Sequence, residues 1–156
     1  MSPIAIPAHL LKVCFEHGAS TYPDEGCGVL SGPLEGDALD AFYPIENIIN
    51  RLHAEDPKSY PRTAREGYVL EPGRMMKLER ELGAKGHRVK VIVHSHVDVG
   101  AYFSEEDRKR ATWAGEPLLP GIVYLVCGVK DKRPDGAIVA YFDEVKREFA
   151  TTDLTD

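Results

Sequence analysis

The stretch HSHVDVGAYFSEED holds the residues best suited to do chemistry. His94 and His96 stand two apart at the end of the apolar run RVKVIVHSH. In a strand, side chains alternate faces, so both imidazoles project to one side. Two neutral imidazoles on one face are a natural start for a zinc site. The competing reading is a merely polar strand end. Asp107, at the entry to a following helix, offers a third ligand of the oxygen type. Three protein ligands with one position left for water is the pattern of a catalytic zinc, whereas four protein ligands mark a structural one.

Asp107 has a second possible job. Ser104-Glu105-Glu106-Asp107 loosely matches the S/T-x-x-E/Q capping box, in which Ser104 caps the helix and Asp107 folds back onto it. The two jobs look mutually exclusive, and without the histidines the cap would be preferred. Asp98 shares the strand parity of the histidines and is a rival ligand. A linear H-x-H-x-D would wrap an extended chain tightly round the ion, so Asp107 is preferred and Asp98 is assigned to loop shaping. Glu25, in YPDEGCG, is by itself a turn glutamate. It lies far upstream, and only the fold could join it to His94. Cys27 could face the same place, although a buried small cysteine is the default. His9, His17, His53 and His87 are isolated and read as surface or satisfied histidines.

Several elements must position these residues. AHLLKVCFE (8–16) has helical apolar spacing, with Pro7 before it and Gly18 as a stop. GCGVLSG and ALDAFYPI read as strands joined by a hairpin through GPLEGD. Residues 47–65 carry little periodicity and read as a long loop with a mildly basic patch (Arg51, Lys58, Arg62, Arg65). Gly67 to Leu70 reads as a brief strand. EPGRMMKLERELGAK (71–85) is an amphipathic helix, its Met pair assigned to the core. SEEDRKRATWAG reads as a helix that includes Trp113, placed in the core or at its rim. GIVYLVCGV is a central strand, and AIVAYFDEVKREF a further strand running into a short helix. The sum is a single mixed α/β (α+β) domain over residues 1–149, with 150–156 a polar tail.

The 156 residues suit one domain at roughly 150 residues each. A chain of this length needs no ion merely to fold. With 43% hydrophobic and 28% charged residues, wholesale disorder is excluded. A net charge of -6 argues against nucleic acid or anionic membrane as partners. No apolar run is long enough to span a bilayer, and no signal peptide is evident at the N-terminus. Three scattered cysteines without CxxC fit a reducing cytoplasm better than a disulfide framework.

Taken together, Glu25, His94-Ser95-His96, seven residues, Ser104, two residues and Asp107 resemble the JAMM (MPN+) zinc metalloprotease motif, E…H-S/T-H-x7-S-x2-D, at every position. The flanking YPDEGCGVLSG and VYLVCGV resemble the small stand-alone bacterial members, and the likeness runs from the first helix to about Tyr141. One departure is Val97, where bacterial members often carry proline. The resemblance implies a cytidine-deaminase-like α/β/α fold and a zinc peptidase or isopeptidase. It implies one Zn²⁺ per chain held by His94, His96 and Asp107, with a water in the open position. It implies Glu25 as general acid and base, and Ser104 as a hydrogen-bond donor to the oxyanion. The implied partner is a ubiquitin-like or sulfur-carrier protein with an extended Gly-Gly tail, cleaved after that tail. A non-catalytic scaffold of the same fold is the alternative, although such relatives lose ligands that this chain keeps. A deaminase would need H-x-E and Cys-x-x-Cys, which are missing.

Overall fold

The computed structural model describes residues 4–154. The chain order is α1 (Ala8–Thr21), β1 (Cys27–Pro33), β2 (Ala41–Ile45), α2 (Ile49–Glu55), α3 (Pro72–Ala84), β3 (His87–Val97), α4 (Glu105–Ala111), β4 (Thr112–Trp113), β5 (Glu116–Pro117), β6 (Val123–Lys130), β7 (Arg133–Asp143) and β8 (Glu148–Asp153). Six strands form one mixed sheet in the order β2-β1-β3-β6-β7-β8, and β4-β5 is a separate small hairpin. Only β3 and β6 pair in parallel. A parallel pair needs a long crossover, and this one carries α4 away from the carboxyl end of β3. Ligand sites in open sheets favour that end. No helix among the described residues is long and apolar enough to cross a membrane.

Strand parity divides the core in two. Val91 and Val93 of β3 join Leu10 and Cys14 of α1 in one apolar cluster. Ile92 joins Leu78 and Leu82 of α3 and Ala111 of α4 in the other. The sheet is therefore covered on both faces, as the continuous apolar runs of β3 and β6 require. His94 and His96 share the parity of Ile92 and so fall on the α3/α4 face.

Several local expectations are corrected. Gly18 does not stop α1, which continues to Thr21. A Cβ at Gly18 would lie 3.0 Å from Ser95 Cβ and 3.0 Å from Val129 Cγ2, so the glycine lets helix and sheet approach closely. Residues 47–65 are not all loop, because α2 buries Ile49, and the Asn47 carboxamide oxygen accepts the Ile49 amide at 3.2 Å. Gly67 to Leu70 forms only a single bridge, Asn47 to Leu70. In the Met pair, Met75 packs on the core while Met76 is exposed. The helix after Ser104 ends at Ala111, and Trp113 belongs to the β4-β5 hairpin, 76% exposed. Ala114 and Gly115 both have positive φ, which turns the chain as a two-residue hairpin does. After β7 the chain forms a strand in place of a short helix. The Asp143 carboxylate accepts the Val145 and Lys146 amides (2.9 and 3.1 Å), and the chain returns as β8. The expected tail from residue 150 is thus paired with β7 as far as Asp153, while residues 155–156 lie outside the described range.

Candidate active site

The site forms where β1 begins and β3 ends. The antiparallel register sets Cys27 opposite His94. One residue earlier, Gly26 and Ser95 clasp each other twice. The Ser95 amide donates to Gly26 O at 2.9 Å, and the Gly26 amide donates to Ser95 Oγ at 2.8 Å. Glu25 is thereby carried to the histidines. Its own backbone is held on two sides, since the Glu25 amide donates to Ala64 O at 2.6 Å and the Asn47 amide group donates to Glu25 O at 3.0 Å. Asn47 also donates to Gly67 O and accepts from Val69 N, each at 3.0 Å. Sequence reasoning missed this residue. An Asn directly before the Ile48-Ile49 pair, at the mouth of an irregular segment, was the available signal.

Ligand atoms of Glu25, His94 and His96 lie within 4.8 Å of one another, and all three residues are buried. Asp107 completes the group from α4. Its Oδ1 is 3.4 Å from His94 Nε2, and its Oδ2 is 3.3 Å from His96 Nε2. The capping box is also fully formed, with Ser104 N to Asp107 Oδ2 and Asp107 N to Ser104 Oγ both at 3.0 Å. The cap and a close approach to both imidazoles, expected to exclude each other, therefore coexist. A carboxylate has two oxygens and about four acceptor directions, so capping leaves a face for the imidazoles. Asp98 is turned elsewhere. It adopts φ 60° and meets Tyr22 OH at 2.8 Å, Arg65 at 3.7 Å and the Asp131 amide at 3.2 Å.

The donor set fits a metal ion. Imidazole-to-carboxylate spacings of 3.3 and 3.4 Å are long for hydrogen bonds. They are close to the roughly 3.3 Å separating neighbouring ligands on a tetrahedral ion with bonds of about 2.0–2.1 Å. Both ring nitrogens of His94 are buried without a hydrogen-bond partner. Burial lowers the pKa of His94, which favours the neutral, ligating imidazole. Desolvation opposes ionisation of Asp107, yet the contacts of His94 and His96 and the Ser104 amide hold its carboxyl well below the usual range. Glu25 differs. Desolvation, then repulsion from Asp107, push its carboxyl up to about 9, and Arg62 and Arg110 pull partly against that. Cys27 is no nucleophile, as burial pushes its thiol up to about 12 and its Sγ meets Ile45 O at 3.4 Å.

Aromatic rings brace the imidazoles. Tyr68 stacks on His94 with centroids 4.3 Å apart, and Tyr102 meets His96 edge-on at 4.8 Å. Both tyrosines line a cleft of about 800 Å³, with Glu25, His96, Ser104 and Asp107 in its wall. Val97, the departure from the bacterial pattern, is buried and extends the pairing of β3 with β6 to Val129.

A mixed sheet covered on both faces, with buried Glu25, His94 and His96 and the adjoining Asp107 at the end of β3, defines a class as well as a site. The chain belongs to the family described as prokaryotic homologs of the JAB domain, which matches residues 7–140. It is 32% identical over 109 residues to a CysO-cysteine peptidase from Mycobacterium tuberculosis (strain ATCC 25618 / H37Rv). That match covers 70% of this chain but 66% of the relative, just under two thirds of its length. A protein from Salinibacter ruber in a solution structure is similar in fold, with TM-score 0.62, 26% identity, and 96% of this chain and 88% of that one covered. A protein from Desulfitobacterium hafniense gives TM-score 0.68 at 18% identity over 95% and 88% of the two chains, a likeness of fold.

Proposed function

We propose that this chain is a zinc-dependent peptidase that hydrolyses the amide bond following the Gly-Gly end of a small ubiquitin-like or sulfur-carrier protein. The observation that carries the proposal is the convergence of two buried imidazoles, one capping carboxylate and one separate carboxyl of raised pKa at the end of β3, with His96, Asp107 and Glu25 in the cleft wall. The similarity to a CysO-cysteine peptidase supports the substrate class.

His94, His96 and Asp107 are the residues that would hold the ion. When bound, zinc supplies a water of pKa about 7 and polarises a carbonyl. Glu25 stands next to the histidines and is left free to move protons. Burial and Asp107 hold its carboxyl up to about 9, and a cation on the neighbouring residues would favour the carboxylate form that accepts a proton. It takes a proton from the attacking water and gives it to the departing amine. Ser104 Oγ accepts from the Asp107 amide, so its own hydrogen remains free to donate to the carbonyl oxygen as charge develops there. Tyr68 and Tyr102 restrict the histidine rings and narrow the cleft, which suits an extended tail of small residues.

The test is hydrolysis of a carrier protein ending in Gly-Gly-X, with zinc content measured in the same samples. About one zinc per chain with release of X supports the reading. Stoichiometric zinc without hydrolysis, or no zinc after supplementation, favours an assembly module of the same fold.

A further inference from the structure

Three arginines line the cleft, and they are not equivalent. Arg65 is engaged with Asp98 at 3.7 Å. Arg62 donates to the Glu66 carbonyl at 3.4 Å, and Arg110 donates to the Tyr68 carbonyl. Among the described ion pairs neither of these two has a carboxylate partner, although Glu66 and Glu106 also line the cleft. Arg110 lies three residues after Asp107 on α4, so its guanidinium projects from nearly the same side of the helix. It sits 5.1 Å from the centroid of the Tyr68 ring, the ring that stacks on His94. Its place relative to the histidines is thus fixed by packing. Arg62 approaches from the segment after α2. Both guanidiniums act on the Glu25 carboxyl through space more strongly than Glu66 does.

The chemistry of the leaving group explains why cations belong here. Glu25 hands a proton to the departing nitrogen. If the residue released is a C-terminal amino acid, its α-carboxylate is two bonds from that nitrogen. Its oxygens need hydrogen-bond donors of their own, because Glu25 and Asp107 offer only acceptors when ionised and a bound ion's charge is already shared with its ligands, the attacking water and the scissile carbonyl. A lysine side-chain amine, the leaving group of an isopeptide, brings no carboxylate to that place. Resting on the peptidase reading above, we propose that Arg62 and Arg110 bind the free α-carboxylate of the released residue and make the enzyme selective for chain ends over side-chain isopeptides.

The experiment uses the zinc-loaded protein and three substrates on one carrier. These are Gly-Gly-X with a free carboxylate, the same tail ending in a carboxamide, and Gly-Gly joined to the Nε of a lysine peptide. A charge-assisted hydrogen bond that distinguishes acid from amide predicts a preference of about 10- to 100-fold in kcat/KM for the free acid. In Arg62→Gln and Arg110→Gln the free-acid rate falls toward the amide rate, and Arg62→Lys restores part of the preference. Circular dichroism and zinc content on the same variants report whether the Tyr68 support survives Arg110→Gln, while Arg62, being exposed, gives an independent reading. Equal rates on acid and amide in the parent protein overturn the proposal. So does an equal fall on both substrates in the variants, which would place the arginines on the carrier surface or in the fold. Hydrolysis of none of the three by zinc-loaded protein overturns the peptidase reading and the proposal together.

Discussion

On one face of β3, Val91, Val93 and Ser95 turn toward α1; on the other, Ile92, His94 and His96 turn toward α3, α4 and the cleft. The first face is packed until a helix glycine is needed for clearance, with Ser95 Cβ at 3.0 Å from where a Gly18 Cβ would stand. The second begins equally apolar but ends in buried nitrogens without hydrogen-bond partners. One strand thus serves as core and as site. The period of two keeps the two roles apart at no distance along the chain. The lesson is that the polar groups are tolerated because the opposite face anchors the strand.

The sharpest break of that comparison is removal of either imidazole. His94→Ala or His96→Ala abolishes stoichiometric zinc at neutral pH and with it hydrolysis, while far-ultraviolet circular dichroism stays native. The fold has core enough without the ion. Zinc retained at one per chain in the double variant would refute the assignment.

Next in size is Glu25→Gln. Zinc stays bound and turnover drops by about 10²- to 10⁴-fold, because the amide cannot accept the proton. The same variant isolates a pH effect in the metal-free protein. Glu25 is near 9 when folded against 4.5 for an unperturbed Glu. Below 4.5 the group is protonated in both states. Between 4.5 and 9 the unfolded chain ionises first, so stability is lost as pH rises. The melting temperature of the metal-free parent therefore declines relative to Glu25→Gln across that window. Parallel pH profiles for the two proteins would contradict the burial of this carboxyl.

Asp107→Asn against Asp98→Asn tests which acid belongs to the chemical face. The first weakens zinc by about 10²-fold or more, since a neutral amide is a much weaker zinc ligand than the anionic carboxylate it replaces. The second leaves zinc affinity unchanged, because its carboxylate is occupied with Tyr22, Arg65 and the Asp131 amide. Competition titration with a chelating dye separates them, and a reversal would mean that Asp107 is only a cap.

The smallest expected effect lies on the packed face. Gly18→Val forces the helix from Ser95 and Val129 and destabilises by about 1–3 kcal/mol, the usual penalty of overpacking. Zinc affinity of the folded fraction stays unchanged. A large loss of zinc here would show that the faces are coupled, measured by denaturant titration alongside metal content.

What could be read beforehand depended on how local each cause is. His94, His96, Ser104 and Asp107 lie within one strand-loop-helix passage, and their spacing alone suggested a site. Glu25 was reachable only through resemblance, because its placement comes from the pairing of Cys27 with His94 and the clasp of Gly26 with Ser95. β1, β3 and β6 were legible because their apolar runs are buried on both faces, and α3 because Met75, Leu78 and Leu82 recur at helical spacing. α2 was not, since it has one apolar edge and an Asn47 side chain that organises it from outside. The turn after Asp143 misled for a chemical reason. A carboxylate that accepts two following amides is how a helix starts as well as how a tight connection closes. Ala114-Gly115 was a hairpin signal hidden behind a charged helix end.

The double clasp of Gly26 and Ser95 also bears on motion. Its two buried bonds tie the start of β1 to β3, a strand packed on both faces, and such amides exchange with solvent only when a whole unit opens. The separation between Glu25 and the histidines is therefore not a local variable that breathes with a loop. Heating or denaturant acts on it only through the cooperative opening of β1 from β3. Native-state deuterium exchange at Gly26 and Ser95 then tracks the global unfolding free energy. The Glu25 carboxyl and the paired imidazoles persist together and are lost together.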